Sequence, residues 1–279
     1  MDEVLLFFVS MVLSLVFLIN WYRSLFALWP LDHRGIERAA LGMLPVFSFL
    51  IILYTLLSLA SFDVVDSPVY IILYIIFGFA WLYLGTLIMS GLFDLSWRDD
   101  ILGGGNKAAL FSFLGSFLAV TLIYSGANIG DGPGWWCVAF AGGLGMVAWA
   151  ALALLFDRAT QVFERVTVGR DVACGIRLGC FLLAGGLLFG RASAGDWTSA
   201  SMTVVEFGAG WPVLPLAVLA TAIERAYINA SKKENAAIMP PLSVSVIVGL
   251  FFLAIAVICR EEANFINLKW SIARMNVLG

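Results

Sequence analysis

Eight long apolar segments constrain the fold of this chain more than any other feature of its sequence. Each is close to the roughly 20 residues that an α-helix needs to cross a bilayer, whereas barrel strands need only about 10 residues and alternate in polarity. The sequence is 62% hydrophobic and 13% charged, and a soluble domain carries about a quarter charged residues. We therefore predict an all-α polytopic membrane protein whose eight spans lie at roughly Val4–Asn20, Ala39–Ala60, Val69–Phe93, Ala108–Ala127, Trp135–Phe156, Val172–Gly190, Met202–Ile223 and Leu242–Cys259.

A short polar motif recurs at the head of every second span. It consists of an acidic or amide residue followed by small residues, at 37–40, 106–109, 171–174 and 234–237. In the first three copies an aspartate marks the turn after the span, and Asp66, Asp131 and Asp196 follow one another at a constant spacing of 65 residues. Such a fixed period indicates an internal repeat. We predict four parallel helical hairpins and an interfacial tail, at 1–68, 69–134, 135–201, 202–259 and 260–279.

The first residue of each motif is predicted to cap the helix that follows. Side-chain oxygens there accept hydrogen bonds from free backbone N–H groups, and the small residues after them allow close helix packing. The predicted caps are Glu37, Asn106, Asp171 and Glu234. A ring of polar groups around a cytoplasmic mouth is the less common alternative. Four parallel units permit either a fourfold ring or two pairs of hairpins, and both arrangements stay open.

The basic residues predict the orientation in the membrane. Eleven Lys and Arg residues lie in the connections that follow the odd spans, whereas Arg191 is alone in the loops of the opposite face. By the positive-inside rule, the connectors are cytoplasmic and the N-terminus is external, in a bacterial-type inner membrane. The tail conflicts with this topology because Arg260, Lys269 and Arg274 fall on the outer side. A tail along the interface, or a re-entrant eighth segment, would remove the conflict.

Three charged residues are candidates for a polar path or for partner contacts. Arg177 is the basic residue inside a predicted span; such charges are functional candidates, although it is near enough to the cytoplasmic end to be an interface anchor. Glu206 lies near the outer end of span seven and suits proton or cation handling, or a surface ion pair with Arg191. Asp131 lies among turn glycines and can hold a cation, but turn formation is the simpler interpretation because calcium-loop spacing is missing.

Glycine and proline positions predict how the later spans pack. Glycines at four-residue spacing in span six, and Gly142, Gly143 and Gly145 in span five, favour tight helix crossings, either at the centre of the protein or at an oligomer interface. Gly208, Gly210, Pro212 and Pro215 predict a kinked or broken seventh span.

Several classes of site and function are disfavoured. His33 is the single histidine, so a histidine-based metal site or triad is not expected. The four cysteines form no Cys-x-x-Cys pair and are interpreted as buried apolar residues. No phosphate loop, nucleophile elbow or dinucleotide fingerprint occurs, so no cofactor is expected and an enzyme is disfavoured. A net charge of -3 gives no case for nucleic-acid binding.

Two motif copies resemble a known family. Gly105-Asn106-Lys107-Ala108-Ala109 and Arg170-Asp171-Val172-Ala173-Cys174, each opening a glycine-rich span, resemble the YjfL-like family of uncharacterised bacterial inner-membrane proteins. The resemblance covers roughly residues 70–192 and implies a fused, double-length member of a family that is typically four-span. Glu or Asp replaces Asn in three units and Cys174 replaces the second alanine. The resemblance implies no activity.

Three functional hypotheses follow. The first is a membrane subunit or scaffold that contacts the lipid bilayer, forms a homo-oligomer through its glycine-rich spans and presents cytoplasmic connectors to a protein partner. The second is a channel or transporter with a path between repeats and with Arg177 and Glu206 near its two mouths. The third is a lipid-modifying enzyme that uses the carboxylates predicted to end odd spans, Asp94, Asp157 and Glu224.

Overall fold

The fold consists of long apolar helices joined by short connections. The computed structural model describes residues 2–27, 35–233 and 242–259, and in these ranges eight helices are long and apolar enough to cross a membrane. They are α1 (Asp2–Ala27), α2 (Gly35–Ser58), α3 (Pro68–Leu92), α4 (Lys107–Ala127), α5 (Trp135–Thr160), α6 (Val172–Ala192), α7 (Val213–Lys233) and α8 (Leu242–Cys259). The same ranges contain no strand, apart from an isolated bridge between Ala60 and Gly130. The predicted all-α polytopic membrane fold is confirmed.

Short helical elements occupy the connections between the long helices. They are Phe62–Val65 after α2, a π-helical turn at Trp97–Gly103 after α3, Val162–Thr167 after α5, and Ala200–Phe207 with a 3-10 turn at Gly208–Gly210 after α6. We call the end of the bundle that carries residues 93–106 and 161–171 the connector end. The opposite end carries residues 59–67, 128–134 and 193–212, and we call it the turn end.

The predicted bounds of span seven are wrong. Instead of one helix over 202–223, a short helix ends at Phe207, and α7 begins at Val213 and continues to Lys233. Glycine weakens a helix, and Pro212 directly before α7 lacks an N–H group, which a helix start does not need. The break therefore occurs at the predicted glycines and proline. As a consequence, Glu224 lies inside α7 and not at the end of a span.

Helices α4 and α6 form the centre of the bundle and run side by side in the same direction. A Cβ atom on Gly115 would overlap the Gly179 carbonyl, and one on Gly126 would overlap the Gly190 carbonyl. The same holds from the other side, where a Cβ on Gly186 would overlap the backbone of Ala119. The backbones of the two helices are thus in direct contact, which is the packing that small residues at four-residue spacing allow.

The other long helices surround this central pair. Ser48 of α2 shares a 2.7 Å hydrogen bond with Thr121 of α4, and Trp149 of α5 donates to the Leu182 carbonyl of α6 at 3.1 Å. On the far side of α6, a Cβ on Gly249 of α8 would lie 2.7 Å from the Cys180 sulfur. The glycine-rich sixth span is therefore packed inside the chain.

Candidate functional site

Two of the four motif residues cap helices at the connector end. The Asn106 Oδ1 atom accepts from the N–H groups of Ala108 and Ala109 at 3.0 and 3.1 Å. The Asp171 Oδ1 atom accepts from the Cys174 N–H at 2.9 Å. Glu37 is buried in the first turn of α2, two residues after the helix begins at Gly35. The fourth predicted cap, Glu234, lies outside the described residues.

Asn106 also joins the two connectors to each other. Its Nδ2 group donates to the carbonyls of Val166 at 2.8 Å and Thr167 at 3.2 Å. In the same region, the Arg170 Nη1 group donates to the Gly104 carbonyl at 3.2 Å. We call these bonds, between residues 104–106 and 166–170, the connector staple. It holds both connectors in one fixed arrangement.

The pKa of Asp100, in the π-helical turn after α3, is shifted from its ordinary value. Partial burial raises the pKa of the Asp100 carboxyl, and the negative charges of Asp94 and Asp99 act in the same direction. The Ser96 N–H donates to Asp100 Oδ2 at 2.7 Å and opposes the shift. The Asp100 carboxylate thus links the π-helical turn back to Ser96, the residue before the turn begins.

The contribution of the Asn106 side-chain amide can be separated from its role as a cap. A serine at this position can still cap α4 but cannot reach the Val166 and Thr167 carbonyls as a donor. We expect Asn106→Ser to keep most of the stability and to speed hydrogen exchange in residues 162–170. Asn106→Ala is expected to lose about 1 kcal/mol more, because the cap is lost as well. Native-state hydrogen exchange and chemical unfolding measure the two effects.

Lys107→Ala is the matched control, since Lys107 is exposed beside Asn106. Wild-type exchange rates in residues 162–170 of Asn106→Ser would show that the amide does not hold the connectors together.

Arg177 lies at the centre of a buried ionic cluster. Its side chain is on α6 and the residue is 1% exposed. The Nη2 group donates to Glu224 Oε2 at 2.9 Å, and the Nε group donates to Glu224 Oε1. The Nη1 group donates to the Ser245 hydroxyl on α8. This two-pronged pairing is the geometry in which arginine binds a carboxylate most strongly.

The cluster continues into the connector. Glu224 Oε2 also accepts from Arg165 Nη1 at 2.8 Å, and Arg165 Nη2 donates to Asp171 Oδ2 at 2.7 Å. The Arg177 guanidinium lies 4.6 Å from the centre of the Tyr227 ring, a cation–π distance. We call Arg165, Asp171, Arg177 and Glu224 the charge network. Its two positive and two negative groups compensate one another, as buried charges require.

The sequence did not predict that Arg177 pairs with Glu224. Arg177 was expected near the interface, and Glu224 was expected at the end of a span. The misplaced start of α7 is the cause. Glu224 is the single acidic residue between Val213 and Lys233, and it is only 3% exposed. A basic residue within one apolar segment and the single acidic residue of another helix were the available signal for a pair.

The other two predicted site residues line one cavity at the turn end. Asp131 and Glu206 are both exposed, and both line a cavity of about 340 Å³ at the turn end. Glu206 lies on the short helix Ala200–Phe207 and not on a spanning helix. Arg177 is about 22 Å along α6 from Ala192, at 1.5 Å per residue. The structure therefore brings Asp131 and Glu206 together and places Arg177 elsewhere.

The described part of the chain forms no cluster of metal-binding side chains. No group of three or more His, Cys, Asp or Glu side chains is placed there to hold a metal ion. None of the four cysteines, all of which lie in the described ranges, forms a disulfide, and Cys137 and Cys174 are buried.

A comparison with models of protein families identifies the family of the chain. The model of a Domain of Unknown Function, DUF350, matches residues 39–193, more than half of the sequence. The chain belongs to the DUF350 family. No curated protein and no solved structure matches it. The DUF350 region includes the whole segment, 70–192, that resembles the YjfL-like family, and it extends from α2 to the end of α6.

The charge network crosses the boundary of the DUF350 region. Arg165, Asp171 and Arg177 lie within residues 39–193, whereas Glu224 and Ser245 lie beyond them. Polar contacts therefore attach the last two helices of this chain to its family domain.

Proposed function

We infer that this DUF350 protein is a non-catalytic subunit or scaffold of a bacterial-type inner membrane, which binds an acidic protein partner at its connector end. The connector staple is the observation that carries the proposal. It joins two separate connectors into one surface whose shape is fixed before any partner arrives. Preorganisation of this kind lowers the entropic cost of binding.

The charge of this surface suggests which partner it takes. Among the residues whose exposure the structure describes, six basic residues are exposed at the connector end, against three acidic ones; they are Arg23, Arg98, Lys107, Arg158, Arg170 and Arg225, and Asp94, Asp99 and Glu164. The balance favours an acidic protein surface by electrostatic complementarity. It also agrees with an orientation in which the connector end is cytoplasmic and the N-terminus is external.

The competing hypotheses find less support in the packing. A transport path between the central helices has no room, because the α4 and α6 backbones are in contact. The same glycines face inward, so they do not offer an oligomer interface, and the proposal does not rest on one. Of the carboxylates considered for an enzyme, Glu224 is bound in the charge network, and Asp157 accepts from the Phe163 N–H at 3.0 Å. Both have structural partners.

Charge reversal at the connector end tests the proposal. Lys107 and Arg158 are both exposed at this end, so Lys107→Glu with Arg158→Glu alters its charge without breaking the staple. After cross-linking in native membranes and affinity purification, we expect an acidic protein to co-purify with the wild type. Its recovery should fall at least tenfold with the double variant, as expected for a charge-steered contact.

The matched control reverses two exposed charges at the turn end, Asp2→Lys and Asp66→Lys, and it should retain the partner. Equal recovery with the connector variant would contradict the proposal. So would loss of binding to anionic vesicles with no effect on co-purification, because the surface would then bind lipid headgroups. Ion flux in proteoliposomes that disappears with Arg177→Ala or Glu206→Gln would instead favour transport.

A further inference from the structure

The turn-end cavity is a partly open cleft with many acidic residues in its lining. Its volume of about 340 Å³ is within the range of small-molecule pockets. Five carboxylic acids line it, contributed by the start of α1, by the short helix after α2, by two turns and by the helix before α7: Glu3, Asp63, Asp131, Asp196 and Glu206. No Lys, Arg or His of the described residues belongs to the lining. Clefts lined by charges of one sign concentrate ions of the opposite sign.

The walls of the cavity are held by bonds between turns that are distant in sequence. The Asp131 N–H donates to Asp196 Oδ1 at 2.9 Å, and the Trp197 N–H donates to the Asp131 carbonyl at 2.7 Å. The Gly195 N–H donates to the Ile129 carbonyl at 2.9 Å. Asp131 and Asp196 therefore keep a fixed relation to each other, although both side chains face water.

Tyr74 supplies an observation that is independent of the acidic rim. It is on α3, only 6% exposed, and lines the cavity. Its hydroxyl has no hydrogen-bond partner among the described residues, whereas the neighbouring Tyr124 hydroxyl donates to the Tyr74 carbonyl at 2.5 Å. The phenol is close enough to Glu3 and Cys137, both in the lining, to interact with them electrostatically. The hydroxyl is not one of the fully enclosed polar atoms that lack a partner in the described residues, so it is open to the cavity and available to a bound molecule.

The type of ligand follows from the donors and rings that are present. The carboxylates are spread around the cavity, and the described residues hold no cluster suited to a metal ion. Aromatic rings of Tyr70, Tyr74 and Trp197 are part of the lining. Trp197 is held by Trp136, with the ring centres 4.6 Å apart. Carboxylates together with aromatic faces bind ammonium groups through ion pairs and cation–π contacts.

We propose that the turn-end cavity binds a small organic cation of the protonated amine class, with Tyr74 as a contact at its base and Asp131 and Glu206 as contacts at its rim. The site is separate from the connector-end surface and does not depend on a protein partner.

Calorimetry on the purified full chain at low ionic strength tests this site, with 1,4-diaminobutane as the probe and the uncharged isostere 1,4-butanediol as its control. We expect saturable binding of the diamine and none of the diol. Tyr74→Phe keeps the ring and removes only the hydroxyl, and it should weaken binding at least fivefold. Asp131→Asn with Glu206→Gln should weaken it at least tenfold.

Two control variants locate the effect. Asp66→Asn changes an exposed turn-end carboxylate outside the lining, and Lys107→Glu changes the connector end; both should bind the diamine as the wild type does. Wild-type affinity in Tyr74→Phe and in the Asp131–Glu206 variant would overturn the proposal. It would also be overturned if MgCl₂ bound saturably and the diamine did not, because the cavity would then take an inorganic cation.

Discussion

Replacing Glu224 by alanine is expected to lower the free energy of unfolding by about 3–5 kcal/mol, the cost of breaking a buried ion pair by removing one partner. The substitution leaves the Arg177 guanidinium, 1% exposed, without the carboxylate that receives two of its hydrogen bonds. Arg165 still has Asp171 as a partner, so the loss is concentrated at Arg177. Equilibrium unfolding of the detergent-solubilised protein, followed by circular dichroism, measures the change.

A double replacement distinguishes lost pairing from lost packing. Arg177→Met with Glu224→Leu removes both charges and keeps apolar volume, and such replacements of buried pairs are often neutral or stabilising. We expect this variant to recover most of the stability lost in Glu224→Ala. Glu206→Gln is the control at an exposed carboxylate and should change stability by less than about 0.5 kcal/mol. A similarly small effect of Glu224→Ala would show that Arg177 is not held by its carboxylate.

Replacing Gly115 by valine is expected to cost about 3 kcal/mol or more, at the upper end of overpacking. The atom that a Cβ would overlap is the Gly179 carbonyl oxygen, and backbone cannot move aside as a side chain can. The two central helices must therefore separate, and the contacts along α4 and α6 weaken together. The same unfolding measurement applies, and the fraction of folded protein recovered from membranes provides a second readout.

Gly143→Val is the matched control for this substitution. Gly143 lies on α5, where an added Cβ would meet no atom within 4 Å. Both changes place valine in the interior of a helix, so differences in helix propensity cancel. Equal effects of the two substitutions would contradict the close contact of α4 with α6.

The number of spanning helices followed from hydropathy because each apolar segment has to be long enough to cross the bilayer. The limits of α7 did not follow, since residues 202–212 contain several apolar side chains that are continuous in sequence with the span, and the helix is interrupted at their glycines and proline. Average composition cannot separate a short interfacial helix from the beginning of a span. The role of Asn106 as a helix cap could be predicted because a cap bonds to residues only two or three positions further along the chain.

The functional contacts were harder to predict because their partners are distant along the chain. Arg177 was recognisable as a charge in an apolar segment, but Glu224 is 47 residues away and on a different helix. The connector staple uses the carbonyls of Val166 and Thr167, and a backbone carbonyl has no sequence signature. Tyr74 resembles any other tyrosine in an apolar span, and only the three-dimensional structure shows that it lines a cavity and that no described residue bonds its hydroxyl.

The position of Glu224 outside the DUF350 region constrains how the length of such a chain can vary. A chain that ended after α6 would leave an arginine at position 177 facing lipid with no carboxylate. It would need an uncharged residue there, or an acid from a second copy. The arginine therefore depends on the last two helices, because α7 supplies the carboxylate that compensates its charge.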